Sequence, residues 1–247
     1  MNDENLVSII MPCYNSAKFI DDSIKSVLAQ TYRNFELIII DDNSADDSLH
    51  IIKKYNDHRI RLITLKNNSG AGAARNEGIA SALGRFIAFL DSDDLWRNNK
   101  LEQQINFMID NNYPFTYTYY QKFSFKGSGK LVTSPLMVNY DQLVICNVIG
   151  CLTAIYDINK LGKHYMPLIR KRQDMGLWLN LLKKCQYAYC LPEVLADYRT
   201  DSGMTKNKLS AAISQWLFYR KELNLSIMKT FNLFVKYAYN GILRKYL

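Results

Sequence analysis

The chain is predicted to be an α/β protein with a doubly wound, mostly parallel sheet and a C-terminal helical annex, on three observations. Short, mainly apolar runs recur at 7–11, 35–40, 60–65 and 86–90, and runs of that kind are strands covered on both faces. Segments with apolar residues at helical spacing separate them, and such alternation builds a parallel sheet with right-handed crossovers. From about residue 225 the pattern becomes one long helical stretch.

The elements follow in order. The first strand, 7–11, ends in the turn Pro12-Cys13-Tyr14-Asn15-Ser16, after which Ile20, Ile24, Val27 and Leu28 mark a helix over 17–30. The second strand, 35–40, ends in Asp41-Asp42-Asn43-Ser44, and Asp46 and Asp47 open the next helix, where its dipole favours them. A third strand, 60–65, leads through the loop 66–70 to a helix over 71–83. The fourth, 86–90, ends in Asp91-Ser92-Asp93-Asp94. In doubly wound sheets ligands bind outside the carboxyl ends of the strands, and all four polar clusters fall there. Four clusters on one rim make a site.

Three carboxylates within four residues raise one another's pKa unless a cation sits among them. Oxygen-only donors with few protein ligands suit Mg²⁺ or Mn²⁺. The alternative is a solvated turn in which Asp93 or Asp94 caps a helix starting near residue 97. Gly70-Ala71-Gly72-Ala73-Ala74-Arg75 lacks the third glycine of a dinucleotide fingerprint and follows the third strand, so it is a weak signal for one. It does suggest a helix N-terminus open to an anion, with Arg75 supplying a bidentate charge.

Beyond residue 97 a helix is expected to residue 112, then a hairpin from 116–125 and 131–133 broken by Gly127-Ser128-Gly129, a short helix at 141–147 and a strand at 150–156. The basic run Arg170-Lys171-Arg172-Gln173-Asp174 leads into a helix over 175–184. Asp174 is either a dipole-favoured cap or a carboxylate kept ionised for use as a base; composition does not separate the two. Tyr198-Arg199 and Lys206-Asn207-Lys208 flank a Ser/Gly/Thr loop of mobile character. The final helix, 225–247, carries a polar stripe of Lys229, Asn232, Lys236, Asn240 and Arg244 on an otherwise apolar surface. Charges interrupt its apolar runs before the roughly 18 residues that span a bilayer, so it packs on the domain or lies on a membrane interface.

Composition narrows the class. At 48% hydrophobic and 22% charged residues the chain is an ordinary globular one. Five cysteines without a C-x-x-C pair argue against zinc and against a disulfide framework, and the N-terminal region lacks a basic, apolar leader, so a cytoplasmic protein is expected. The net charge of +8 is uneven: residues 1–120 hold 12 basic and 16 acidic groups, residues 121–247 hold 19 and 7. That basic half calls for an anionic partner.

Val-Ser-Ile-Ile-Met-Pro-Cys-Tyr-Asn at 7–15, Ile-Ile-Ile-Asp-Asp-Asn-Ser at 38–44, Gly-Ala-Gly-Ala-Ala-Arg-Asn-Glu-Gly at 70–78 and Phe-Leu-Asp-Ser-Asp-Asp-Leu-Trp at 89–96 together resemble the inverting family 2 glycosyltransferases of GT-A fold. Gly-Cys-Leu-Thr at 150–153, Arg-Lys-Arg-Gln-Asp at 170–174 and Tyr-Arg at 198–199 look like the non-processive bacterial enzymes that build O-antigen and teichuronic-type polysaccharides. The processive Gln-x-x-Arg-Trp signature is missing. The resemblance implies a UDP-sugar donor, UDP-glucose or UDP-galactose favoured among UDP-hexoses and UDP-N-acetylhexosamines, and Mn²⁺ or Mg²⁺ as cofactor. It also implies a lipid-diphosphate-linked saccharide as acceptor, peripheral contact with the inner face of the membrane and no nucleic-acid partner. Residues 1–96 would be the nucleotide-sugar half and 97–205 the acceptor half of a catalytic domain, with 206–247 as a basic annex.

Residue by residue, the resemblance assigns Pro12, Tyr14 and Asp42 to the uracil pocket and Asn15, Asn68, Gly70, Arg75, Arg172 and Arg199 to the nucleotide-sugar. Asp91 and Ser92 would hold ribose, Asp93 with Asp91 the metal, and Asp174 would be the base, with Gln173 where many relatives carry an acid. Asp94 is left as a helix cap or acceptor-side residue. The rival readings are a nucleotidyltransferase, which releases pyrophosphate, and a non-catalytic basic module for membranes or nucleic acid.

Overall fold

Apolar side chains that alternate between two covered faces dictate the first half of the chain. In the computed structural model, which describes residues 3–201 and 208–246, β1 (Val7–Cys13), β2 (Phe35–Asp41), β3 (Ile60–Thr64) and β4 (Phe86–Phe89) pair in parallel in the order β3-β2-β1-β4. Helices α1 (Ile20–Leu28), α2 (Ser48–Lys53) and α3 (Ala71–Ser81) connect them. Val7, Ile9, Met11, Leu37 and Ile39 form one core with α1, while Ile10, Ile38, Ile40, Ile87 and Phe89 form another with α3. Gly78 lets α3 lie directly on the sheet, because a Cβ there would fall 2.6 Å from Ile10.

The second half extends the sheet. After β5 (Leu95–Trp96) and α4 (Lys100–Asp110) come β6 (Phe115–Ser124), β7 (Gly127–Val132), β8 (Met137–Val138), α5 (Tyr140–Ile145), β9 (Ile155–Asp157), α6 (Ile158–Leu161), α7 (Gln173–Leu182) and β10 (Ala188–Arg199). β9 lies antiparallel between β4 and β6, and β10 runs parallel to β6, giving a ten-stranded mixed sheet among the described residues. Trp178 of α7, fully buried, packs edge-on against Phe89 at 5.6 Å and against Phe115 at 5.3 Å. One aromatic cluster therefore sets the helix whose first turn holds Asp174 against the strand that leads to Asp91. The annex is α8 (Lys208–Leu217) and α9 (Ile227–Tyr246), with Trp216 against Phe234 at 5.4 Å. No helix among the described residues is long and apolar enough to cross a membrane.

Four expectations change. The strand at 150–156 shrinks to β9, because Thr153 turns its hydroxyl and its amide onto the Gly150 carbonyl, at 2.7 and 2.9 Å, and closes a 3-10 turn over Cys151–Thr153. Gly127-Ser128-Gly129 lies inside β7, so the hairpin reverses at Phe125-Lys126. Tyr198-Arg199 ends a twelve-residue strand, which Pro192 conceals in the sequence by interrupting the ladder at a bulge between Leu191 and Val194. The helix expected from 97 starts at Lys100 behind Asn99, so Asp94 does not cap it. The loop expected before Lys208, with the proposed 205/206 boundary, lies outside the described residues.

Candidate active site

Strand ends and helix starts bring the rim clusters together. Pro12 is buried at the end of β1, and Tyr14 beyond it is 51% exposed. Asn15 takes a left-handed backbone, φ 48°, and accepts from the Ala45 amide at 2.8 Å, tying the β1 turn to the β2 turn. Asp42, expected in the base pocket, spends both carboxylate oxygens on its neighbours: the amides of Ser69 and Gly70 donate to them at 2.7 and 2.8 Å. Asn68 adds a bond from Nδ2 to the Asp42 carbonyl at 3.2 Å. These residues shape the loop before α3, whose Gly70 needs its φ of +85°.

The acidic motif divides. Ser92 is buried and shares a hydrogen bond of 2.7 Å with Ser16. Asp91 accepts from Arg75 Nη2 at 2.5 Å. Asp94 is buried and accepts from the Arg199 amide at 2.8 Å. Burial, and after it the charges of Asp91 and Asp93, push the Asp94 carboxyl well above the usual carboxylate range. Arg199, expected on the donor, is turned away from any open position. Its Nε donates to the Asp93 carbonyl at 2.8 Å, and its guanidinium stacks among Phe19, Phe123 and Phe125. Its Nη2 lies 3.9 Å from the Asp22 carboxylate, and with the aromatic cage these contacts let Arg199 brace the motif's backbone.

Across the rim stands α7. Arg172 at its start has φ 70°, a strained value for a residue with a Cβ, and its Nη2 donates to the Tyr237 hydroxyl of α9 at 3.2 Å. Gln173 accepts from Arg75 Nη1 at 3.3 Å. A Cβ on Gly72 would fall 2.8 Å from the Gln173 amide nitrogen, so this glycine admits Gln173 where an anion was expected. Asp174, in the first turn of α7, accepts from Asn147 Nδ2 at 2.9 Å. Burial pushes its carboxyl up, while the Met175 amide, the charges of Arg75 and Arg172, and Asn147 pull it back. Asp174 is thus a carboxylate near a buried cation but without a direct ion pair among the recorded salt bridges of the described residues.

Residues 8–159 match the family model described as Glycosyl transferase family 2. The chain belongs to glycosyltransferase family 2. This glycosyltransferase is 41% identical to TuaG of Bacillus subtilis (strain 168), named for teichuronic acid biosynthesis, over 99% of both chains. It is 40% identical to WfgD of Escherichia coli, named as a UDP-Glc:alpha-D-GlcNAc-diphosphoundecaprenol beta-1,3-glucosyltransferase, over 87% of this chain and 85% of WfgD. Among solved structures, S. aureus TarS 1-349 in complex with UDP superposes with a TM-score of 0.72 at 22% identity, covering 94% of this chain and 70% of that one. The shared fold is the GT-A fold expected from the sequence. Family membership sets aside the nucleotidyltransferase.

The glycosyltransferase has the donor chemistry for a hard divalent cation, though not a closed cage. Among the described residues no group of three or more His, Cys, Asp or Glu side chains is arranged to hold a metal. The rim carries the carboxylates of Asp93 and Asp91, the latter bonded to Arg75, oxygen donors that fit an ion completing its shell with water and phosphate. Sequence reasoning missed Asn147 and gave Cys151 no role beyond its place in the Gly-Cys-Leu-Thr motif. Cys151 feels the charges of Arg75, Asp91 and Asp174, and burial pushes its thiol well up, away from the reactive thiolate. Asn147 belongs to no local pattern that marks it. Arg75→Met should destabilise the ligand-free protein by about 2–3 kcal/mol, since it leaves Asp91 without its cation. Urea unfolding measures this, and adding Asp91→Asn should recover part of the loss; a cost under about 1 kcal/mol would show that the pair holds nothing together.

Proposed function

We propose that the protein moves one sugar from a UDP-sugar to a hydroxyl of a lipid-diphosphate-linked saccharide, with inversion, in bacterial surface-polysaccharide synthesis. UDP-glucose and UDP-galactose are the favoured donors among UDP-hexoses and UDP-N-acetylhexosamines. The single observation that carries the reading is Asp174, a carboxylate oriented by Asn147 and facing the Asp91–Asp93 strand end across Arg75. The names of TuaG and WfgD support the polysaccharide and the lipid-diphosphate acceptor, and UDP in TarS supports the donor. A lipid-linked acceptor brings a cytoplasmic enzyme to the inner face of the membrane.

In this scheme Asp174 takes the proton of the acceptor hydroxyl as its oxygen attacks the anomeric carbon. The bond to the diphosphate breaks, and its electron pair leaves with UDP. A single displacement needs no nucleophilic carboxylate and inverts the centre. Bound at Asp93, with Asp91 beside it, Mn²⁺ or Mg²⁺ would supply charge for the departing diphosphate. Pro12, Tyr14 and Asn15 would meet the uracil, and Ser92 with Asp91 the ribose. Asp42, Asn68 and Gly70 would act through the loop they hold, and Arg172 would stand beside the diphosphate. Arg75 would keep Asp91 and Gln173 in place. Residues 1–96 would then serve the donor and 97–205 the acceptor, with 206–247 as annex.

A panel of UDP-sugars with a synthetic lipid-diphosphate saccharide should release UDP with one of them; silence across the panel would count against this donor class. Asp174→Asn should cut transfer by at least about 10²-fold while donor affinity, measured by calorimetry, stays unchanged, and retained turnover would remove Asp174 as the base. Because burial raises the Asp174 carboxyl, the acidic limb of kcat/KM should lie above the ordinary carboxylate range. Asn147→Ala removes a bond that favours the charged form, so the limb should move to higher pH with the donor KM unchanged. An unmoved limb would mean that Asn147 does not orient the base.

A further inference from the structure

The inward face of α9 is accounted for and its outward face is not. Thr230 is buried, Leu233 and Phe234 join the core, and Tyr237 receives Arg172. On the other side Ile227, Met228, Phe231, Val235 and Tyr239 are 50 to 84% exposed. At 3.6 residues per turn they form one stripe about 120° wide, larger than scattered surface apolar residues need explaining. Lys229, Asn232 and Lys236, all exposed, run along one edge of the stripe. No acidic residue occurs anywhere from 223 to 247.

We propose that this face of α9 docks on an anionic lipid bilayer, with the stripe in the interface and the lysines at the headgroups. An apolar stripe edged by cations is the pattern of a helix lying in an interface plane, and the charges decide the occupant. A second copy, meeting this face symmetrically, would bring its own lysine row against this one with no acid on α9 to offset it. Anionic headgroups offset it directly. The arrangement also has a consequence for the site. Tyr237 of α9 holds Arg172, two residues before Asp174, so docking would bring the start of the base helix to the membrane side of the enzyme, where a lipid-linked acceptor arrives. Vesicle binding is read without turnover, so it stands or falls apart from the sugar-transfer reading.

Flotation of the full chain with vesicles of phosphatidylcholine, with and without phosphatidylglycerol, tests the proposal. The protein should float with the anionic vesicles and lose binding as salt rises. Phe231→Asp with Val235→Asp should weaken binding by at least about tenfold. Lys229→Glu and Lys236→Glu should each weaken it by at least about fivefold on anionic vesicles. All four side chains are exposed, and circular dichroism verifies that each variant is folded; should the aspartate pair misfold, the lysine variants alone decide. Failure of the parent chain to float, flotation of folded variants equal to the parent's, or a dimer on size exclusion that Phe231→Asp abolishes would each overturn it.

Discussion

A buried guanidinium holds this rim together. Arg75 is 8% exposed, and a cation so far from water persists only with anions or acceptors beside it. Asp91 at the end of β4 and Gln173 at the start of α7 supply them. Two elements from opposite halves of the chain are thereby drawn onto the first turn of α3. The Trp178 contact with Phe89 fixes the same two elements one layer deeper, so charge above and packing below agree on their spacing. Gly72 is small because Gln173 must pass it.

The three aspartates of one short motif then live in three environments. Asp91 has a cation, Asp94 is sealed under Arg199, and Asp93 holds its carbonyl against the same arginine. Repulsion persists at the buried member, where the charges of Asp91 and Asp93 add to burial in pushing the Asp94 carboxyl up. Arg199 itself is held by the Asp93 carbonyl, by aromatic faces and by the Asp22 carboxylate 3.9 Å away, which together let it be buried.

The sheet's first four strands were legible because each is covered on both faces, and the rim was legible because topology alone collects strand ends. Asp42 and Arg199 were expected on the donor and Asp94 as a helix cap or acceptor-side residue, but their contacts were not legible, since which acid meets which base depends on side-chain packing that spacing does not encode. Asn147 left no trace in the sequence: an isolated asparagine carries no period, and its bond to Asp174 spans 27 positions. β10 was hidden by Pro192, whose lost ladder bond is absorbed by a bulge. Local rules fail where a residue's partner is distant or where one irregularity interrupts a longer element.

Manganese anomalous diffraction from crystals grown with UDP and Mn²⁺ tests whether the proposed cation binds at the Asp93 carboxylate while Arg75 keeps its bond to Asp91. The anomalous peak should lie at the Asp93 carboxylate with Arg75 still hydrogen-bonded to Asp91. A peak seated on Asp91 with Arg75 swung away, or a peak remote from this motif, would contradict it.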